Sequence, residues 1–568
     1  MEINGARIVW ECLRRQGVKD VFGYPGGQVI PIYNELYDFR DINHILVRHE
    51  QGAAHAADGY ARVTGKVGVC IATSGPGATN LVTGIMTAHM DSVPMVIITG
   101  QVPLSLIGND AFQETDITGI TLPITKHSYL VQSIEELVKF MKEAFYIAET
   151  GRPGPVLIDI PKNIQVESIK MSDFEKLYER KVEIRSYSPN YIGNIRQIKL
   201  AVEYINKSEK PLVVLGAGII KSKADTELKE FLEYTKIPAT STLLGLGALS
   251  SEYENYLGMA GMHGTVASNY AIYDSDLLIA VGMRFDDRIT GKLETFAPNA
   301  KVIHIDIDPA EIGKNRRAEV PIVGDLKNVI GEINKKITDF NKDNIKNWIE
   351  TVIKWKKEYP IIYKKDPNII KPQEVIEKIN EITKGEAIIV TDVGQHQMWA
   401  AQFYDFKKPG HLCSSGGAGT MGYGLPAAMG AKVAKKKEIV VAIVGDGGIQ
   451  MNSQELITLA QYDIAVKIVI LNNSYLGMVR QWQEIFYERR YSAVDLNINP
   501  DFVLLAKANK IKGVEISLPS ELDKILRENL ESDEPVLFDI KVSKEENVLP
   551  MVPSGGEGNK MIGITGEI

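Results

Sequence analysis

Two apolar runs in this chain end on oxygen-bearing side chains, one helix apart. EIVVAIV (438–444) is followed by Gly445-Asp446-Gly447-Gly448, and AVKIVIL (465–471) by Asn472-Asn473. The segment between them, MNSQELITLAQYD, has helical spacing and an Asn-Ser start suited to a cap. Residues 445–473 therefore read as one strand–helix–strand unit. Asp446 and Asn473 then emerge at the same edge when the two strands are neighbours. One carboxylate and one amide oxygen make a poor zinc site, which takes His or Cys. They suit Mg2+, which prefers hard oxygens and shares its coordination with substrate phosphates. The glycines let backbone N–H groups approach a phosphate ahead of a helix N-terminus. A lone GDG would read as an ordinary helix cap; the second oxygen ligand at the end of the next strand favours the metal.

A second candidate is Glu50, in ILVRHEQGAAHAADGYARVTG (45–65). A strand ends there and an Ala/Gly-rich helix begins. The position suits an acid–base carboxyl in a largely apolar pocket. It equally suits an acidic residue that stabilises a helix dipole by about 0.3–1 kcal/mol. A third group lies mid-chain. Gly216-Ala217-Gly218 follows PLVVL, GMRFDDR (282–288) follows another apolar run, Asp306 ends KVIHI, and Asp325 lies in VGDL. A Gly turn, two arginines and acidic strand ends suit a dinucleotide's pyrophosphate and ribose. Without a full G-x-G-x-x-G the spacing also fits an ordinary strand–turn–helix with a surface ion pair.

These residues need strand ends to carry them. Short β-branched runs recur along the chain, each followed by Gly or Asp and then a helical pattern. Runs without polar alternation fit parallel strands buried on both faces. The reading is an α/β protein of three doubly wound parallel-sheet domains at 1–165, 190–335 and 370–550, with a Gly/Pro-rich tail at 551–568. The charged stretches 165–190 and 331–370 read as surface connections. At 568 residues the chain is too long for one core. A net charge of −8 with no basic block argues against nucleic acid. No apolar run approaches the roughly 20 residues of a membrane span. The start of the sequence is an amphipathic helix pattern (Ile8, Val9, Cys12, Leu13) without a signal peptide's features. The three cysteines make no metal spacing. A cytoplasmic protein is expected.

GDG followed by NN about a helix and a strand later resembles the signature of thiamine diphosphate enzymes. The resemblance implies that Asp446, Asn473 and the backbone oxygen of Tyr475 hold Mg2+ against the cofactor's diphosphate. It implies further cofactor contacts from Gly394-Gln395-His396, Gly419, Met421, Gly445, Gly447, Gly448 and Leu476-Gly477-Met478. Met421 would lie beneath the bend of the cofactor, and Glu50 would hydrogen-bond its pyrimidine ring. One subunit's N-terminal, pyrimidine-binding domain would face a partner's C-terminal, diphosphate-binding domain, so a homodimer with shared active sites is expected, alone or within a tetramer.

FGYPGG (22–27), AFQE (111–114), GRPGPVLIDIPK (151–162), GMHG (261–264), RFDDR (284–288), GQHQMWAAQ (394–402) and NNSYLGMVRQWQ (472–483) recur in one order over nearly the whole chain. Together they resemble the catalytic large subunit of the acetohydroxyacid synthase family. This implies FAD in the central domain. Its contacts would be Arg152, the turn residues Gly216 and Gly218, Thr242 and Leu243, Met262 and His263, Gly282, Arg284, Asp286 and Arg288, and the acidic Asp306 and Asp325. It implies decarboxylation of pyruvate and ligation of the two-carbon unit to pyruvate or 2-oxobutyrate. Gly27 and Gln113 would stabilise intermediates. Phe112, Lys162, Met478, Val479 and Trp482 would shape the acceptor pocket. FAD would be structural, because no net electrons are transferred. No regulatory domain is read in the chain, so a separate regulatory small subunit is the expected source of control. Another thiamine–FAD enzyme, such as a pyruvate oxidase, and a noncatalytic nucleotide-binding scaffold are the alternatives.

Overall fold

The computed structural model describes residues 2–566; positions 1, 567 and 568, which fall within the domain and tail limits expected above, lie outside them. The apolar runs form strands as expected. Met95–Gln101, Leu277–Val281 and Val466–Asn472 are buried along their whole length. They sit inside parallel sheets with helices on both faces, which is why their sequences lack polar alternation.

There are three six-stranded sheets. The first orders its strands Asn43–Leu46, Asp20–Gly23, Gly68–Ala72, Met95–Gln101, Pro155–Pro161, His127–Leu130. The third orders them Leu412–Ser414, Ile388–Thr391, Val440–Gly445, Val466–Asn472, Val536–Lys541, Lys512–Ile516. Counted within each sheet, both follow 2-1-3-4-6-5. The middle sheet follows 3-2-1-4-5-6, with Pro211–Leu215 beside Leu277–Val281 at its centre. In each sheet the strand order reverses direction beside the first strand, and loops there part to leave a crevice beyond the carboxyl ends. These crevices fall after Gly23 and Ala72, after Leu215 and Val281, and after Thr391 and Gly445. All the residues singled out at strand ends are therefore carried to three crevices.

The first and third domains share one hydrophobic core. Its seam is the helix Glu50–Thr64 against the helix Gly424–Ala434. A methyl on Gly59 would lie 2.1 Å from the Ala427 carbonyl oxygen, and one on Gly430 would lie 1.8 Å from that of Ala56. The Ala/Gly richness after Glu50 thus serves backbone-to-backbone packing of two domains.

Two connections depart from expectation. In 165–190, Ser168–Lys170 pairs antiparallel with Glu2–Asn4, and the helix Met171–Glu179 buries Phe174 on the first domain. In 331–370, the helix Lys346–Glu358 buries Trp348, whose Nε1 donates to the Pro211 carbonyl at 3.0 Å. Both are short amphipathic helices in which charges are at least as many as apolar residues. The tail also folds back: Val552 N donates to Met262 O at 2.7 Å, and Met561 is buried against Val266. Among the described residues no helix is long and apolar enough to cross a membrane.

Candidate active site

The strands Val440–Gly445 and Val466–Asn472 are parallel neighbours, with Gly445 opposite Leu471. Asp446 and Asn473 therefore leave the sheet side by side. Asp446 is almost fully buried, and burial pushes its carboxyl up to about 6 against the pull of Asn499 and the Ser474 and Gly447 backbones. Asn499 Nδ2 donates to Asp446 Oδ2 at 2.7 Å, and Gln450 bridges the Asp446 carbonyl and Asn499 Oδ1. A buried carboxylate without a cationic partner is a costly arrangement that a bound cation would relieve. Asn473 Oδ1 accepts from Tyr475 N at 3.0 Å, which fixes the amide oxygen at the mouth of the crevice. Asn472 is different: its Nδ2 donates to Asp539 Oδ1 at 2.8 Å inside the sheet. The segment after Asp446 is not one capped helix. A turn at Asp446–Ile449 and a 3-10 turn precede the helix Leu456–Gln461, and Asn452 Nδ2 donates to Gly422 O instead of capping.

The rest of the expected diphosphate group gathers around this pair. A methyl on Gly445 would lie 3.1 Å from the His396 ring, and one on Gly447 would lie 2.8 Å from Leu476 and 3.8 Å from Met421. A methyl on Gly448 would lie 2.9 Å from the Asp392 carboxylate. Gly477 passes so close to Gln395 that a methyl there would overlap its Oε1. Both Nε2 hydrogens of Gln395 go to protein acceptors, Gln481 Oε1 and Glu546 O, so this side chain braces the Asn473 loop. His396 opens the helix Gln395–Phe403; burial holds it neutral, down to about 3, and its Nε2 is buried without a partner. A glycine cradle, a buried carboxylate and an unpartnered imidazole nitrogen fit a metal-bound diphosphate.

The middle crevice opens into a cavity of about 1020 Å³. Gly216 and Gly282 cross there: a methyl on Gly216 would lie 2.1 Å from the Gly282 carbonyl oxygen, and Gly282 has φ +58°. Gly218 N donates to Gly282 O at 3.0 Å. Thr242, Leu243, Met262 and His263 line one side. Arg152, Arg284 and Arg288 line another, and each is already paired with acid: Arg152 with Asp308 and Glu311, Arg284 with Asp286, Arg288 with Asp287. Asp286, Asp306 and Asp325 also reach the wall; Asp286 and Asp325 cap helices, and burial pushes Asp306 up to about 6. His263 is buried with an unpartnered Nδ1. The size, the arginines and this nitrogen fit a dinucleotide. The same cavity runs on to Gly394, Gly419, Met421, Met478, Val479 and Trp482, so it joins the middle crevice to the third.

The first crevice holds a separate group. Glu50 begins its helix, and Asn80 Nδ2 donates to its Oε2 at 2.9 Å. Gly77 lies beside Oε1, and Thr73 lies against both Gly77 and Gly26. Lys162 Nζ donates to Gly27 O at 3.1 Å, and Gln113 packs on Gly75. Phe112 is 86% exposed. Lys162 touches Gly27, Thr73 and Gly77 link Gly26 to Glu50, and Gln113, preceded by exposed Phe112, touches Gly75; none of Glu50, Gly27, Phe112, Gln113 and Lys162 lines the large cavity of the same chain. Asn80, Asn499 and Asp392 escaped the sequence reading. Asp392 accepts from the N–H groups of Val393, Gly422 and Gly424 and so ties two loops of the third crevice together. Apart from the Asp392 bond to its neighbour Val393, these contacts span 30 or more residues and leave no spacing signal.

Comparison with known proteins agrees with this layout. The family described as "Thiamine pyrophosphate enzyme, N-terminal TPP binding domain" matches residues 3–120, "central domain" 198–333 and "C-terminal TPP binding domain" 392–540. The acetolactate synthase large subunit of Cyanidium caldarium is 48% identical over 573 residues, covering 100% of this chain and 97% of that one. The probable acetolactate synthase large subunit of Methanocaldococcus jannaschii is 50% identical, covering 98% and 94%. The acetolactate synthase isozyme 2 large subunit of Escherichia coli K12 is 48% identical, covering 99% of each chain. With three crevices of matching chemistry and relatives aligned end to end, the chain belongs to the acetolactate synthase large-subunit family of thiamine pyrophosphate enzymes.

Proposed function

We propose that the chain decarboxylates pyruvate on thiamine diphosphate and ligates the two-carbon unit to pyruvate or 2-oxobutyrate. The products are 2-acetolactate or 2-aceto-2-hydroxybutyrate, precursors of valine, leucine and isoleucine, made in the cytoplasm. The observation that carries this reading is the pairing of two complementary crevices: Asp446 and Asn473 in the third domain, and Glu50 in the topologically equivalent first domain.

When bound, thiamine diphosphate supplies an acidic ring carbon and an electron sink. Asp446, Asn473 and the Tyr475 carbonyl would hold Mg2+, and the N–H groups around Gly445–Gly448 and the start of the Gln395–Phe403 helix would donate to phosphate oxygens. Glu50 holds the proton at the far end of the cofactor through its free Oε1, while Asn80 fixes Oε2. Gly27 N–H and Gln113 donate to developing negative charge. Met421 lies beside Gly447 and would support the cofactor's bend from there. Trp482, Val479, Met478, Phe112 and Lys162 bound the acceptor and exclude water. The middle cavity would hold FAD, which would carry no electrons in the overall reaction.

The Glu50 group lies outside the cavity of its own chain. That supports a homodimer, alone or within a tetramer, in which each first domain completes a partner's site. Exposed Phe112 and Leu122 on one domain and Val479 and Ile498 on the other are apolar surface suited to such an interface. The large-subunit names of the relatives support a separate regulatory small subunit as a further partner. The test is an anaerobic assay of purified protein with pyruvate, thiamine diphosphate and Mg2+, with and without FAD. Acetolactate formed without an electron acceptor is expected; turnover that requires an acceptor would identify an oxidase instead.

A further inference from the structure

The loop 102–115 carries Phe112 and Gln113 and has little packing of its own. Gln113 adopts φ +61°, a left-handed backbone that residues with a side chain disfavour. Its carbonyl approaches Gly75 so closely that a methyl there would lie 2.9 Å away. Gly75 leads into the turn whose Gly77 faces Glu50. Small displacements of this loop therefore shift Gln113 relative to the catalytic carboxyl.

One buried side chain grips both ends of the loop. Gln101 ends the strand Met95–Gln101, and its Oε1 accepts from Val102 N at 2.8 Å. Its Nε2 donates to Thr115 O at 2.8 Å and to Asp159 Oδ2 at 2.9 Å. Asp159 lies on the adjacent parallel strand, opposite Thr99, whose Oγ1 donates to Oδ1 at 2.7 Å. The amide has thus one usable orientation: both hydrogens and its oxygen are committed. Asp159 is 1% exposed and has no cationic partner among the described residues. A buried carboxyl kept without an ion pair costs stability, and here it selects which way Gln101 faces.

We infer that Asp159 and Gln101 form a positioning pair that holds the Phe112–Gln113 loop for catalysis, acting through the Thr115 carbonyl. The inference rests on the role of Gln113 given above. It is tested in the full-length holoenzyme with Gln101→Met, which keeps the volume and removes every hydrogen bond. The expected result is kcat reduced about 10–100-fold, as for a displaced reacting group. Thiamine diphosphate affinity is unchanged, and amide hydrogen exchange in residues 102–115 is faster. Gln113→Ala is the companion variant. If it is slow while Gln101→Met turns over normally with unchanged exchange, the positioning pair is overturned and the role of Gln113 stands. If both turn over normally, both fail. Should Gln101→Met not fold, the double exchange Asp159→Asn with Gln101→Glu decides. It restores the pairing between the two positions but sets a carboxylate against the Thr115 carbonyl. Recovered thermal stability with kcat still low supports the inference; stability and kcat recovering together overturn it.

Discussion

Asn80 Nδ2 holds one oxygen of Glu50 at 2.9 Å, and the other oxygen faces Gly77, where a methyl would lie 3.2 Å from it. The carboxyl is thereby turned with one oxygen engaged and one free. This is the arrangement needed to exchange a proton with a ligand at a fixed place, and a helix dipole alone would not require it.

Glu50→Gln should lower kcat by about 10²–10⁴-fold, the usual worth of a positioned acid–base group. The amide that replaces the carboxylate still accepts from Asn80, so the thermal midpoint should hardly move. Near-normal turnover would remove Glu50 from the chemistry.

Asn499 orients Asp446 from a loop 53 residues away. Removing such an outer partner typically costs about 10–100-fold in metal affinity. Asn499→Ala should weaken Mg2+-dependent retention of thiamine diphosphate by this much, and Asp446→Ala by more. Equilibrium dialysis of the cofactor at graded Mg2+ measures both; unchanged retention in Asp446→Ala would place the metal elsewhere.

Trp482 lies on the helix Gly477–Phe486, whose opposite face is anchored by buried Arg480 and Gln481. The indole is thus held by its neighbours' hydrogen bonds and presents a firm wall to the cavity. Trp482→Leu should shift the product ratio toward 2-acetolactate when pyruvate and 2-oxobutyrate compete, within the roughly 1–3 kcal/mol that a methylene can yield. An unchanged ratio would retire the selective role.

Burial pushes the Asp159 carboxyl up to about 7, against the hydrogen bonds from Thr99 and Gln101. An acid with a raised folded pKa contributes stability that is fully present below its unfolded pKa, near 4, and is lost as pH rises through about 7. Wild type should therefore lose stability relative to Asp159→Asn across this window. Urea midpoints at acidic and neutral pH check it; a pH-independent difference would mean that the carboxyl is ionised throughout.

The layout of the candidate site was legible for most residues that end their own strand, Asp392 after Ile388–Thr391 being one that was passed over. Asp446 and Asn473, Gly216 and Gly282, and Gly27 all follow apolar runs, and a parallel sheet delivers such residues to one edge. Partners that reach the site from elsewhere were not legible. Asn499 and Asn80 meet their carboxylates through loop and turn geometry, and Asn452, a plausible cap by type, instead bonds Gly422. The Ala/Gly run after Glu50 carries no sequence signal for the partner it packs on. The structure shows its flank packing on Gly424–Ala434 of the third domain, because Gly59 and Gly430 allow the two backbones to touch. Phe174 and Trp348 were hidden among charges, where two or three apolar residues suffice to fold a short helix onto a domain.

The most direct test of the account concerns shared sites. Chains carrying Glu50→Gln and chains carrying Asp446→Ala, each nearly inactive alone, are co-expressed with different tags, and the mixed dimers are purified. If the carboxyl of one copy serves the metal site of the other, each mixed dimer holds one doubly damaged site and one intact site, and its rate should recover to about half that of wild type. A mixed dimer no more active than its two parents would show that both groups act within one chain, and would contradict the account.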